Sequence, residues 1–430
     1  MSKYTIIATS TFGLESVVAY ELRSLGYSNL VTENGKISFE GDERDIARCN
    51  VWLRTADRVL IEIAKFRAED FEELFQGTLK IKWEEIIPLK GKMHIIGKSI
   101  KSKLFSVKDC QATVKKAVVE AMKRKYKVVH FEESGPVYKI EAALLKDIVT
   151  LTIDTTGAGL HRRGYRKDTG EAPLRETLAA GLVMLSRWNP SVPGARVAPS
   201  SGKATGAPPS CSPCSQGRFP GVTSDKQSIT SGIYPVLADP FCGSGTIPIE
   251  AAMIGKNIAP GLKRTFASEE WHQIPGNIWD EVRSDASALV KDSDFRILAS
   301  DVDGYVLKKA RTNAQNAGVA DCIAFQKLPV SDFRSGKRHG YIICNPPYGE
   351  RVGDTKDVEE IYRAMGETFS QLDSWSFFIL TAHSDFERFF GKRASSNRKL
   401  FNGDIRCYYY QYHAGKFRNP NFEPLNKFNI

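Results

Sequence analysis

The sequence predicts an α/β protein: a doubly wound sheet in the second half, preceded by an α+β first half. Two stretches carry that expectation. The apolar run Ile233 to Ala238 ends in Asp239. Pro240-Phe241-Cys242-Gly243-Ser244-Gly245-Thr246 follows, with two glycines two apart, and Ile247-Pro248-Ile249-Glu250-Ala251-Ala252 then reads as a helix start. Thr246 is a candidate N-cap and Pro248 lies near the first turn. Strand, glycine turn and helix open a doubly wound sheet, in which a ligand lies across the carboxyl ends of the strands, against the turn. A side chain at such a glycine would hold the ligand off the backbone. The second stretch lies farther along. Tyr341-Ile342-Ile343-Cys344, a short apolar strand, runs into Asn345-Pro346-Pro347-Tyr348.

Composition narrows the class. The 430 residues are enough for two or three domains, and 42% are hydrophobic, enough to bury real cores. No apolar run approaches the roughly 20 residues of a membrane span, and the first residues, MSKYTIIATS, lack a signal-peptide pattern. Eight scattered cysteines suit a reducing, cytoplasmic setting. The net charge is +10, and it is concentrated. Lys90 to Lys127 holds twelve Lys or Arg against Asp109 and Glu120. A polyanionic partner follows from that segment, with a merely solvated face as the plainer reading.

In chain order, Tyr4 to Thr9 is a strand. Leu14 to Leu25 is a helix with Leu14, Val17, Val18, Leu22 and Leu25 on one face and Gly26 as its stop. Asn34-Gly35 turns a hairpin between Leu30-Val31 and Ile37 to Phe39. Val59 to Phe66 and Met93 to Gly97 are strands, and Phe71 to Thr78 begins a helix. Lys108 to Arg124 is a helix with Val114, Val118 and Met122 behind and Lys115, Lys116 and Lys123 in front, a face that fits phosphates. Val149 to Asp154 is a strand. Leu160-His161-Arg162-Arg163-Gly164-Tyr165-Arg166 is a basic connection, read from its residues as a phosphate contact. A helix runs from Ala172 to Trp188. Residues 191–232, rich in Pro, Ser and Gly, cannot offset their ordering entropy and read as a disordered insertion. Cys211 and Cys214 have metal spacing but no second pair, so no metal is expected.

From 233 onward strand and helix alternate. Arg296 to Ser300 is a strand ending at Asp301 and Asp303, with Tyr305 to Asn316 as the next helix. Cys322 to Gln326 is a strand followed by Val330-Ser331-Asp332-Phe333. After the Asn-Pro-Pro-Tyr turn come a helix, Val358 to Leu372, and a strand, Ser376 to Thr381. A hairpin of Ile405 to Tyr412 with a partner near Leu400 closes the sheet. An acid at the end of the second strand can accept both hydroxyls of a bound ribose, which singles out Asp301, with Asp303 behind it.

Asp-Pro-Phe-Cys-Gly-Ser-Gly-Thr followed by Asn-Pro-Pro-Tyr resembles the class I S-adenosylmethionine-dependent methyltransferases that act on an exocyclic amine of a nucleobase. The wider pattern is similar to the RNA methyltransferases with an N-terminal THUMP domain, and most to the bacterial enzymes that methylate N2 of a guanine in 23S rRNA. The motif alone does not separate RNA from DNA, or guanine from adenine. The resemblance implies a Rossmann-like class I methyltransferase domain preceded by α+β ferredoxin-like and THUMP domains. The expected divisions are 1–55 ferredoxin-like, 56–160 THUMP, 161–190 linker and leading helix, 191–232 insertion, 233–413 catalytic and 414–430 tail. It implies S-adenosylmethionine as cofactor, held by Asp239, Phe241, Cys242, Gly243, Ser244, Gly245, Thr246, Asp301, Asp303, Asp332, Phe333 and Arg166. Asp239 would face the methionine ammonium, Asp332 the adenine amine and Phe333 the adenine ring. The catalytic set would be Asn345, Pro346, Pro347 and Tyr348.

That set suits the chemistry. A nucleobase amine is a poor nucleophile because its lone pair is delocalised into the ring. The Asn345 side-chain oxygen and the Pro346 carbonyl can each accept an N–H, which frees the lone pair. The prolines hold the acceptors rigidly, and Tyr348 offers a π face to an extruded base. Cys242 and Cys344 read as small packing residues. The alternatives left open are a tRNA guanine, a DNA adenine, and an RNA-binding homologue without catalysis. The basic first half favours folded RNA, and neither metal nor membrane is expected as a partner.

Overall fold

The computed structural model describes residues 3–128, 130–166, 174–190, 235–292, 294–348 and 355–414. The expected insertion at 191–232 and nearly all of the 414–430 tail therefore lie outside the described residues. Two seven-stranded sheets organise the chain.

The first sheet has the order β2-β3-β1-β4-β7-β6-β5. Its strands are β1 (Tyr4–Ser10), β2 (Val31–Glu33), β3 (Lys36–Gly41), β4 (Ala56–Arg67), β5 (Lys92–Ile100), β6 (Val137–Leu145) and β7 (Ile148–Asp154). Its helices are α1 (Glu15–Ser24), α2 (Glu43–Trp52), α3 (Phe71–Leu79), α4 (Trp83–Ile86) and α5 (Val107–Tyr126). The Asn34-Gly35 turn is there, with Gly35 at φ +74°. So is the stop at Gly26, at φ +95°. Helix α2, for which the apolar pattern gave no expectation, starts from a reciprocal cap between Asp42 and Asp45.

Strand β4 is shared. Its first half pairs with β1, from Ala56 opposite Ser10 to Glu62 opposite Thr5. Its second half pairs with β7, as far as Arg67 opposite Ile148. The two expected N-terminal units thus form one continuous sheet, and the division expected at 55 falls where the common strand begins.

The second sheet has the order β10-β9-β8-β11-β12-β14-β13. It comprises β8 (Leu237–Asp239), β9 (Ile297–Asp301), β10 (Ile323–Lys327), β11 (Tyr341–Cys344), β12 (Ser376–Thr381), β13 (Ser396–Asn402) and β14 (Ile405–Tyr412). Around it lie α6 (Glu176–Ser186), α7 (Thr246–Gly255), α8 (Gly276–Ala288), α9 (Gly304–Ala317), α10 (Thr355–Ser370) and α11 (Phe386–Phe390). Strands β8 to β12 are parallel, and β14 runs antiparallel to both neighbours. From β8 the chain winds outward through β9 and β10, then returns to β11 on the other side. The winding reverses between β8 and β11, where such sheets bind ligands.

The halves interlock through a segment the sequence patterns did not assign. After α7, residues Ala259, Phe266, Trp271, Ile274, Trp279 and Val282 leave the catalytic half and join the core of the first sheet. Trp271 stacks on Tyr138 of β6 at 4.8 Å between ring centroids. A Cβ on Gly261 would lie 2.6 Å from Val51 Cα, so only glycine permits that approach. Arg44 of α2 bridges to Glu281 at 2.5 Å and Asp285 at 2.9 Å on α8. In return, Leu14 and Val17 of α1 join the catalytic core. Gly181 of α6 makes room, since a Cβ there would meet Leu14 Cδ2 at 2.9 Å.

The basic stretch is only partly open. Val114, Val118 and Met122 of α5 are buried, as the spacing implies. Lys90, Lys98, Lys103 and Lys115 pair with Glu132, Glu141, Glu69 and Glu133. Lys108, Lys116, Lys123, Arg124 and Lys125 show no carboxylate partner among the described residues, leaving a cationic face on α5.

Trp271→Ala removes a buried ring and leaves a cavity at the junction. We expect a loss of about 3–5 kcal/mol. In denaturant unfolding, tryptophan fluorescence and far-UV circular dichroism should then cease to report one coincident transition.

Candidate active site

All three residues of β8 are buried, which fixes where the loop after it emerges. The Cys242 N–H donates to the Ser300 carbonyl at 3.0 Å, tying the loop to β9, and the Gly245 N–H closes the turn onto Cys242 O at 2.8 Å. The Ser244 carbonyl accepts from Asn313 of α9 at 3.0 Å. Helix α7 begins one residue earlier than a Thr246 cap would give. Gly245 is the N-cap, in the left-handed region at φ +87°, and Thr246 is the first helical residue. The Thr246 hydroxyl is thereby released to accept from Arg166 at 2.5 Å. Arg166 also pairs with Glu176 at 3.3 Å, so it braces the loop from the side.

The two glycines have different reasons to be glycine. A Cβ on Gly245 would meet Ala310 Cβ at 3.2 Å and Ile249 Cδ1 at 3.3 Å, so this position serves helix packing. Gly243, at φ +52°, has nothing within 4 Å of a Cβ position. It faces open space, and a side chain there would occupy room that a ligand can use. Its N–H donates to Asp301 Oδ2 at 3.0 Å, while Asp301 Oδ1 accepts from the Asp303 N–H at 3.0 Å. The Asp301 carboxylate thus borders the Gly243 opening, held by two backbone donors and with lone pairs left for hydroxyl groups. Asp303 caps α9 through the Tyr305 N–H at 2.8 Å and is exposed.

Asp239 is 1% exposed and accepts from the Phe241 N–H at 3.1 Å. Burial drives its carboxyl well above the usual range, despite that bond, with Asp301 adding to the effect. A cation placed beside it would restore the charged form. Asp332 lies at the end of a short turn after β10, exposed, and accepts from the Ser331 hydroxyl at 3.2 Å. Phe333 is buried, its ring edge-on to Trp375 at 6.0 Å. Phe241 is partly buried against the same core cluster. Cys242 and Cys344 are buried with thiols pushed up by desolvation, which keeps them protonated and inert.

The second loop leaves β11, whose Tyr341 and Ile342 pair with Leu237 and Ala238 of β8. Asn345 is therefore delivered at the same end of the sheet as Asp239. Its Oδ1 is buried and has no hydrogen-bond partner among the described residues. Such an acceptor calls for an explanation, and an incoming N–H would satisfy it. The Pro347 carbonyl accepts from the Tyr362 hydroxyl at 2.8 Å, and that hydroxyl also contacts Thr381 Oγ1 at 2.9 Å. The Pro346 carbonyl takes no hydrogen bond among the described residues. Tyr348 accepts from Asn402 Nδ2 at 3.2 Å, across to the β13–β14 turn.

Three supporting residues escaped the sequence patterns. Tyr362 lies on the apolar face of α10 and looks like core. Asn402, in an Asn-Gly turn, looks like hairpin chemistry. Glu250 sits in α7, fully buried, and accepts from Tyr165 at 3.1 Å and Arg163 at 3.5 Å. The basic connection therefore turns partly inward. Arg163, with a side chain 1% exposed, is a buried ion-pair partner and is closed to phosphate.

Known proteins resemble the chain over most of its length. Residues 163–193 and 234–411 match the model of an RMKL-like methyltransferase domain, 5–60 that of an RlmL ferredoxin-like domain, and 68–154 that of a THUMP domain. A Bacillus subtilis relative, "Putative RNA methyltransferase YpsC", is 45% identical over 96% of each chain. The chain belongs to the RMKL-like methyltransferase family. Its cofactor is S-adenosylmethionine. The "Ribosomal RNA large subunit methyltransferase K/L" of Psychromonas ingrahamii is 31% identical over 92% of this chain. The chain spans about half of that relative, 48% of its length. Among solved structures, "SMU.472, a putative methyltransferase complexed with SAH" superposes with a TM-score of 0.82 at 38% identity, covering 97% of this chain and all of that one. A Listeria monocytogenes protein described as "a predicted N6-adenine-specific DNA methylase" gives 0.82 at 41%, covering 96% of each.

The residues present fit the cofactor on the chain's own evidence: an open glycine face, a carboxylate at its border and a buried acid with no cation beside it among the described residues. Gly243→Ala and Gly245→Ala should separate. Each carries about 1–2 kcal/mol of backbone strain. Gly243→Ala should weaken S-adenosylmethionine binding at least about tenfold in calorimetry, since it fills ligand space at a cost of about 1.4 kcal/mol or more. Gly245→Ala should show its larger effect in the melting temperature.

Asp239 gives a pH dependence. A ligand ammonium favours its ionised form, so binding should release a proton. Affinity should fall as pH falls through the raised pKa of the free protein. Calorimetry in two buffers of different ionisation enthalpy reads that proton, and Asp239→Asn should abolish the difference.

Proposed function

We propose that the protein methylates the exocyclic N2 amine of a guanine in RNA, with 23S rRNA or its precursor as substrate. The observation that carries the reading is the unpartnered Oδ1 of Asn345, held at the reversal of the sheet beside the Gly243 opening. S-adenosylmethionine supplies an electrophilic methyl group when bound. Gly243 would admit it against the backbone. Asp301 would take its ribose hydroxyls, and Asp239 its ammonium. Phe241, Cys242, Ser244, Thr246 and Arg166 shape and brace that loop, Asp303 fixes the start of α9, and Asp332 and Phe333 border the adenine end.

The remaining steps belong to the second loop. Asn345 Oδ1 and the Pro346 carbonyl accept the two N–H groups of the amine. Directing both protons at fixed acceptors turns the nitrogen lone pair away from the base and toward the methyl carbon. Pro346 and Pro347 limit backbone motion, and Tyr362 holds the Pro347 carbonyl, so the acceptors are preorganised. Tyr348, held through its hydroxyl by Asn402, presents its ring to a base taken out of its stack. The cationic face of α5 would hold RNA phosphates. The lengthwise match to ribosomal RNA methyltransferases supports rRNA over tRNA, and the THUMP match supports RNA over DNA.

The test is transfer of labelled methyl to 23S rRNA, tRNA and DNA, each from cells lacking the enzyme, followed by nucleoside mass spectrometry. N2-methylguanosine from 23S rRNA is expected; N6-methyladenine as the product would overturn the reading. Asn345→Ala should lower kcat by roughly 100-fold or more while cofactor affinity stays within about twofold.

A further inference from the structure

We infer that Phe12, contributed by the N-terminal sheet, forms with Phe401 a stacking subsite for the RNA nucleotide flanking the methylated one. The inference rests on the function proposed above for its location beside the reacting base. Its own evidence is independent of the methyl-transfer chemistry.

Phe12 is 47% exposed although the loop that carries it is held on every side. The Thr11 hydroxyl bonds Asp57 at 3.3 Å. The Gly13 N–H donates to Glu15 at 2.8 Å, and the Gly13 carbonyl accepts from Arg398 Nε at 2.8 Å. Arg398 also donates to Ser16 at 2.8 Å. Gly13, at φ +93°, lets the loop press onto β13 so closely that a Cβ would lie 2.5 Å from the Lys399 carbonyl. An aromatic ring on a mobile loop can fold onto its own protein. This one is fixed facing water.

Its surroundings give it a partner. Phe12 meets Phe401 of β13 edge-to-face at 5.9 Å. Lys399 Nζ lies 5.4 Å from the centroid of the Phe401 ring. The residue after Phe401 is Asn402, whose amide holds the Tyr348 hydroxyl. Two aromatic rings and one ammonium thus sit at the same hairpin end that positions the base-stacking tyrosine. Aromatic faces beside a cation recognise an unpaired nucleotide through its base and its phosphate. A nucleotide extruded from its stack leaves a neighbour whose own stacking is broken, and Phe12 would receive it. The module that binds RNA and the module that modifies it would then share one substrate path.

The test uses the full chain with Phe12→Ala and Phe12→Trp. Fluorescence anisotropy with a fluorescein-labelled single-stranded RNA of about 12 nucleotides reads the subsite without any methylation. Phe12→Ala should weaken binding roughly tenfold and Phe12→Trp should restore it, in keeping with loss of one stacked base. On unmodified rRNA, Phe12→Ala should raise KM for RNA about as much, leaving kcat within about twofold and cofactor affinity unchanged. Equal RNA affinity for the unsubstituted and Phe12→Ala proteins, no binding by the unsubstituted protein, or no restoration by tryptophan overturns the inference. If Phe12→Ala weakens RNA binding while rRNA is not a methyl acceptor, the subsite stands and the proposed substrate falls.

Discussion

The pairing of β8 with β11 is the constraint on which the rest depends. Only Tyr341 with Leu237 and Ile342 with Ala238 make that ladder, yet it joins two strands far apart in the chain. Because they are parallel, both end at the same edge, and the loops after them emerge side by side. One loop follows the buried Asp239 and carries an open glycine that Asp301 borders from β9; the other offers an amide oxygen without a partner among the described residues. Local sequence writes each loop but not their meeting. The ladder brings the two loops together, and the buried residues of both strands fix the register.

A short ladder is not enough to hold groups to the tolerance that methyl transfer demands. The second tier is a set of hydroxyl and amide braces: Tyr362 on Pro347, Asn402 on Tyr348, Arg166 on Thr246 and Asn313 on Ser244. Each comes from a different element. Each fixes a backbone or side-chain group of a motif without competing for the position a substrate would take. The Asn345 amide oxygen stands apart as a buried acceptor that none of them satisfies. In the reading proposed above, a substrate N–H would pair with it.

The sheet class and the two motif loops were legible because apolar runs, glycine pairs and proline turns are local signals. Strand Ser376–Thr381 follows from such a run to the residue, and α5 follows within two residues from the helical spacing of Val114, Val118 and Met122. The braces were not legible. Tyr362 has the spacing of a core residue, and Asn402 that of a turn residue; only tertiary contact gives them a further task. The docking segment from Ala259 to Ala286 was opaque for a related reason. Its aromatic residues fill the core of another sheet, and only Trp279, with Val282 and Ala286, keeps helical spacing. Arg163 misled in the opposite direction. A run of basic residues reads as a phosphate contact, but Glu250, nearly ninety positions away, draws this one into the interior.

The interlock between the two sheets bears on how an RNA would be handled. A tether between an RNA-holding module and a catalytic module raises the local concentration of substrate but leaves its orientation free. Here the modules exchange core residues in both directions: Trp271 and Trp279 into the first sheet, Leu14 and Val17 into the second. Repositioning one half against the other would expose these side chains, at roughly 1.5–3 kcal/mol for each large apolar group. Such a cost disfavours hinge motion and favours a fixed relation between the cationic face of α5, the Phe12 loop and the Asn345 acceptor. Selection of a nucleotide can then rest on the distance between these points along a folded RNA. A rigid frame can read the shape of its substrate, and no base other than the extruded one need be recognised by hydrogen bonds.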